Sequence, residues 1–174
     1  MSKNHGKPKI LLDCDVVIHF TKAGQQLLLP KIFPDQFVML DKVYGELQKR
    51  RSTLTKLNNF LDWVKIPVVK MPSSIEILKE YSVLKKTMGD GEAACLAVAR
   101  YTKDYVASSN LKDIGVYCSV HQIVYLTTMD ILAEALGQKL MTEDECNVFI
   151  SDVKSQGSIL PYDTMAEYFE KNNK

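Results

Sequence analysis

The chain has 174 residues, 46% of them hydrophobic and 25% charged, which suits one domain with a real core. Its formal net charge of +1 excludes the global basic field of a large non-specific DNA binder, although an enzyme that holds phosphate through metal ions needs no such field. No apolar run is long enough to cross a bilayer, and Cys14, Cys95, Cys118 and Cys146 fit neither a CxxC pair nor a zinc spacing, so they read as reduced thiols of a cytoplasmic protein without a signal peptide.

In chain order, MSKNHGK is polar, and residues 1–8 read as a flexible N-terminus. Lys9 to Leu12 is a short, continuously apolar strand of the kind buried on both faces of a parallel sheet. Val16 to Leu29 is expected to be helical, weakened at Gly24 and ended by Pro30 and Pro34. Phe37 to Leu40 is a second strand, after which Asp41 is placed as the N-cap of a helix carrying Val43, Glu46 and Leu47. Ser52 would cap a helix with Leu54, Leu57, Phe60, Leu61 and Val64 on its apolar side. Ile66 to Met71 is strand-like, and Ser73 or Ser74 starts a helix reaching about Lys86.

MGDGEAACLAVARYTK then reads as a turn followed by a strong helix, and Tyr105 to Ser108 as a strand. Asn110 to Cys118 is helical and Ile123 to Leu126 a strand. Thr128 is expected to cap MDILAEAL, which Gly137 stops, and Thr142 to cap EDECNVFISDVKSQG, which Gly157 stops. A short helix near Thr164 to Glu170 closes the chain. Alternating strands and helices predict an α/β fold, a mostly parallel central sheet with helices on both faces. The domain is assigned to 9–156, and 157–174 to a C-terminal tail with a short helix.

In open parallel sheets, ligands sit at the carboxyl ends of the strands. The polar residues there are Asp13 and Asp15 after the first strand and Glu46 in the helix after the second. Asp90 and Glu92 open the long helix. Ser108, Ser109, Asn110 and Asp113 follow the Tyr105 strand, and Thr127, Thr128 and Asp130 follow the last. Carboxylates gathered without counter-charges repel one another and are costly to bury. A divalent cation relieves both problems, and hard oxygen donors suit Mg2+ or Mn2+ rather than zinc.

The ordered set ILLDCDVVI, VYGELQK, GDGEAACLAVA and VASSNLKDI resembles the PIN domain, a metal-dependent nuclease fold, and within it the bacterial VapC-like branch. The likeness runs from about Lys9 to Leu132. It implies a three-layer α/β/α architecture and a Mg2+- or Mn2+-dependent endonuclease, with RNA as the expected substrate. Such an enzyme hydrolyses phosphodiesters with metal-activated water and leaves a 5′-phosphate and a 3′-hydroxyl. Position by position, Asp13, Glu46 and Glu92 match the family's acids as catalytic residues and metal ligands. Asp90 is a nearby extra carboxylate. Where the family has its fourth acid, this chain has Ser108, Ser109 and Asn110. Either Asp113 substitutes as a ligand, a serine or asparagine oxygen holds a water, or a second metal binds weakly. A homodimer and an antitoxin-like protein partner follow from the analogy alone.

Each of these residues also has a plain structural reading. Asp15 reads first as a helix cap, Glu46 as a solvated acid near Lys49 and Arg50, and Asp90 as an N-cap with Glu92 favouring the macrodipole. Asn110 and Asp113 fit a near capping box. His19 reads as a satisfied interior histidine and His121 as a helix-end residue. Cys14, between two acids that raise its pKa, reads as a buried thiol and not a nucleophile. Lys49, Arg50, Arg51 and Lys56 form a basic stretch that is either a solvated face or a backbone contact. Two rival functions stand beside the nuclease: a PIN-like binding module that has lost catalysis, and a haloacid-dehalogenase-type phosphatase using Asp13 as nucleophile. The phosphatase order is wrong, because SSNLK follows GDGE, and it gives Glu46 no task.

Overall fold

The computed structural model describes residues 7–50, 59 and 61–172. Five strands, β1 (Ile10–Leu12), β2 (Phe37–Leu40), β3 (Val68–Val69), β4 (Tyr105–Ala107) and β5 (Tyr125–Leu126), form one sheet in the order β3-β2-β1-β4-β5. Every pairing is parallel, with Leu11 opposite Val38 and Val106, and Leu12 opposite Ala107. All residues of β1 and β2 are buried, as the unbroken apolar runs require of strands covered on both faces.

The helices are α1 (Cys14–Lys22), α2 (Leu29–Ile32), α3 (Asp41–Lys49), α4 (Ile75–Leu84), α5 (Asp90–Thr102), α6 (Leu111–His121), α7 (Thr128–Gly137), α8 (Glu143–Ser155) and α9 (Met165–Asn172). One group, α3, α4, α5 and α6, packs together with α5 lying against β1, β2 and β4; α1, α2, α7, α8 and α9 make the other. The result is the three-layer α/β/α arrangement expected from the sequence. Among the described residues no helix is long and apolar enough to cross a membrane.

Local chemistry moved several boundaries. Helix α1 begins at Cys14, not Val16, because Asp13 takes the N-cap and accepts the Cys14 N–H. It ends at Lys22. Gly24 then turns the chain with φ +64°, and Pro30 opens α2 instead of ending a helix, since a proline early in a helix lacks only an N–H that would go unpaired there. Leu40, not Asp41, caps α3; the Asp41 carboxylate instead accepts the Met71 N–H at 3.0 Å and ties the chain beyond β3 to α3. Ser74 does cap α4, but Gly89 precedes α5 where Asp90 was expected. Thr127, one residue before the expected Thr128, closes a capping box with Asp130, and Thr142 closes another with Glu145. The Ser52 helix, with Leu54, Leu57 and Phe60, and the basic residues Arg51 and Lys56 lie outside the described residues, as do residues 1–6. The 157–174 segment carries Leu160 and Met165, both buried.

Helix α5 is the most enclosed: Gly91 through Ala99 are all buried. Its first turn presses against α3. A Cβ on Gly91 would lie 3.0 Å from Val43 Cγ2 and 3.1 Å from Val43 Cα, a backbone atom that cannot swing away. Gly115, within α6, has nothing within 4 Å of the same position. Gly91→Ala should therefore destabilise the protein by about 1–3 kcal/mol through overpacking. Gly115→Ala should add about 0.5–1 kcal/mol through better helix propensity. Urea midpoints of the two variants check the pair, and a neutral Gly91→Ala would overturn the close-approach account.

Candidate functional site

In this strand order the chain leaves β1 toward β2 and leaves β4 toward β5, so the sheet's switch point lies between β1 and β4. The pairing runs one step past the strands there: Asp13 N–H donates to Ala107 O at 2.9 Å. Asp13 and Ser108 thus leave adjacent strands at the same level. Asp13 Oδ1 accepts the Cys14 N–H at 2.7 Å and Oδ2 accepts the Ser108 hydroxyl at 3.2 Å. Asp15 sits one residue into α1, where Oδ1 accepts its neighbour Val16 N–H at 2.6 Å and Oδ2 accepts Ser109 N–H at 2.7 Å. The Ser108 hydroxyl also lies 3.5 Å from Asp15 Oδ2. One hydroxyl proton cannot serve both carboxylates at once.

Around this pair a pocket of about 210 Å³ is lined by Asp13, Asp15, Glu46, Glu92 and Asp113, with Asn110 among them and Arg50 as the cation of its lining among the described residues. Glu46 reaches it from α3 and accepts the Gly91 N–H at 2.9 Å, so it also caps the amino end of α5. Glu92 is held by Asn110, whose amide donates to Glu92 Oε1 at 3.0 Å and to Asp113 Oδ2 at 2.7 Å. Asn110 is the N-cap of α6 by backbone, but its side chain caps nothing and bridges these two acids.

The expected residues Asp13, Glu46, Glu92, Asn110 and Asp113 therefore come together. Asp90 does not join them. It turns to the Tyr81 hydroxyl and to Lys85 Nζ at 3.0 Å, and against the opposing effect of burial these two hold its carboxyl below the usual range. Ser109 contributes its N–H to Asp15 and its hydroxyl to Thr128. Sequence reasoning undervalued Asp15, taken first as a cap, and Ser108, taken as the loss of an acid. The D-C-D spacing was the available signal that both acids lie at the end of β1, but not of which one caps the helix and which meets the neighbouring strand.

Burial drives the electrostatics. Asp13 is 6% exposed, and burial first, then Asp15, push its carboxyl well above the usual range, with the Cys14 N–H pulling back. Burial likewise raises Asp15 against its backbone donors. Glu92, 7% exposed, is pushed up to about 7 by burial, then by Asp113, Asp15 and Glu46, against the Asn110 amide. The Cys14 thiol is raised by burial and by Asp13, as an inert buried thiol should be. His19 is buried, its Nδ1 is 2.8 Å from Thr128 Oγ1, and burial lowers it to about 4, so it is a neutral interior histidine.

The donors are hard oxygens with buried like charge, which suits Mg2+ or Mn2+ in chemistry. Their spacing is wider than a ligand set: among the described residues no group of three or more His, Cys, Asp or Glu is arranged to hold a metal ion. One neutral amide, Asn110, bridges two of the acids.

The raised carboxylates fix a pH dependence. Between about 4.5 and 7 the folded Glu92 keeps a proton that the unfolded chain has lost, so the contribution of Glu92 to stability is fully present below 4.5 and is lost as pH rises through 7. In chelator, Glu92→Gln should flatten that slope and raise the thermal midpoint at pH 7.5. A variant that melts lower than wild type at pH 7.5 would remove the burial argument.

No family model matches this chain. No curated protein matches either. Among solved structures, the chain is similar to one of VapBC2 from Rickettsia felis bound to a DNA fragment from their promoter, at 14% identity and TM-score 0.49, covering 68% of this chain and 97% of that one. A likeness at that level decides neither fold nor function.

Proposed function

We propose that this chain is a metal-dependent endonuclease of PIN type, cutting RNA at the acidic pocket between β1 and β4. The observation that carries the reading is five carboxylates around one small pocket at the sheet's switch point, with Asp13 and Glu92 almost fully buried. Structural proteins avoid such an arrangement, because each added like charge raises the cost of the rest. A bound Mg2+ or Mn2+ would neutralise these acids, polarise the phosphate and activate water for in-line attack.

Asp13, Glu46, Glu92 and Asp113 would hold that ion, with Asp15 close by. Asp13 is fixed by the Cys14 N–H and the Ser108 hydroxyl, so its orientation is set before substrate arrives. Asn110, which donates to both Glu92 and Asp113, would orient these two acids. Arg50, at the exposed end of α3, would meet a non-bridging phosphate oxygen as a forked donor. The phosphatase reading leaves Glu46, Glu92 and Asp113 unused. A binding module that does not cut has one point in its favour, the serines in place of a fourth acid together with the unconverged donors. Self-association and an antitoxin-like partner belong to this proposal as well, and sedimentation of the purified chain tests the first.

Asp13→Asn separates catalysis from folding, since asparagine caps a helix as well as aspartate does. On labelled single-stranded RNA with Mn2+, wild type should cut and the variant should lose roughly a hundredfold or more of the rate, with a melting midpoint in chelator no lower than that of wild type. Chelator should abolish cutting, and Mn2+ should raise the wild-type midpoint at pH 7.5. A variant that cuts at the wild-type rate would refute the site, and a folded wild type that binds Mn2+ without cutting any RNA would transfer the chain to the binding-module reading.

A further inference from the structure

A second and larger cavity, about 640 Å³, opens beside the edge strand β5, between α7 and the C-terminal segment that carries α9. It neighbours the acidic pocket along the same rim of the sheet. Asn110 lines the acidic pocket and Leu111, the next residue, lines this one. Ser109, which donates to Asp15, also exchanges hydrogen bonds with Thr128 at the start of α7.

Two properties of the lining narrow what fits. Tyr125, Tyr162 and Tyr168 all line the cavity and are all partly buried, and Tyr162 and Tyr168 meet edge to face with centroids 5.7 Å apart. Aromatic walls of this kind accept a flat ring by stacking. Among the described residues the charged ones of the lining are both acidic, Asp130 and Glu134. Asp130 accepts the Thr127 N–H and hydroxyl and the Tyr168 hydroxyl, and Glu134 accepts the Gln138 amide. All of these donors are neutral groups. Two carboxylates suit a group that brings N–H donors, and among the described residues no cation of the lining meets a phosphate.

Guanine is the base with the matching edge: N1–H and N2–H lie side by side and match both oxygens of one carboxylate, whereas uracil offers one ring N–H flanked by acceptors, and adenine and cytosine each one amino group beside a ring acceptor. We propose that this groove takes an unpaired guanine of the RNA strand, stacked by the tyrosines and read by Glu134, with the neighbouring phosphate at the acidic pocket. The inference rests on the nuclease reading for its biological sense and gives that reading a substrate preference. It also gives the C-terminal helix a task, as one wall of the base pocket.

The test is titration of guanosine, adenosine and uridine into the full chain in chelator, followed by calorimetry and by tyrosine ring signals in NMR. Guanosine should bind roughly ten- to a hundredfold more tightly than the other two and shift the groove tyrosines, and the exposed substitution Glu134→Gln should bring it down to the level of uridine. Equal binding of the three nucleosides, or a guanosine preference that survives Glu134→Gln, would overturn the proposal. So would displacement of guanosine by an arginine-rich peptide that itself binds far more tightly, which would mark the groove as a protein contact. Because no metal is present, the result is independent of cleavage. RNA cut without guanosine selectivity defeats this inference alone, and selective guanosine binding without any cutting defeats the nuclease reading alone.

Discussion

The constraint on which this structure turns is the burial of like-charged carboxylates where β1 and β4 diverge. A parallel sheet with the order β3-β2-β1-β4-β5 leaves a crevice at that point because the two connections depart in opposite directions. Asp13 and Ser108 are delivered to it by strand pairing, with Asp13 bonded to Ala107 across the gap. Everything else at the site adjusts to the charge placed there. Backbone N–H groups, one serine hydroxyl and one asparagine amide meet the acids, yet burial still raises Asp13 and Glu92. Such a site stores unfavourable electrostatics that a cation would release.

The same carboxylates also build the fold, which complicates any division of residues into structural and functional. Asp13 caps α1 while pointing into the pocket, and Glu46 caps α5 while lining it. The bare glycine at position 91 lets α3 and α5 approach closely enough for the Glu46 contact. The GDGE sequence is therefore a packing device as much as an acidic one. Asp90, its most conspicuous member, faces Tyr81 and Lys85 outside the pocket.

The C-terminal third extends the carboxyl rim of the sheet. Helix α7 starts where β5 ends, and Tyr168 of α9 hydrogen-bonds Asp130 in the capping box of α7. That contact anchors the last helix over a groove whose tyrosines and acids differ in character from the acidic pocket beside it. In the function proposed above, one rim would serve phosphate chemistry at the acidic pocket and hold a flat, donor-edged ring in the groove beside it.

Much of the fold was legible in the sequence because its signals are local. Unbroken apolar runs marked β1 and β2, Ser74 and Thr142 marked their helices, and strand-helix alternation implied a parallel sheet. The acids at strand ends were legible for the same reason, and so was the neutral role of His19. What only the tertiary structure decided depends on which backbone donors each side chain meets. Asp13 and Asp15 are two residues apart and chemically alike, so no pattern could say which caps the helix and which turns to Ser109. Likewise, Asn110 has the sequence of a capping box, but Glu92 lies 18 residues earlier and takes its amide in space. Residue type and period are written along the chain, whereas the partner of a polar side chain is settled by distances across the sheet.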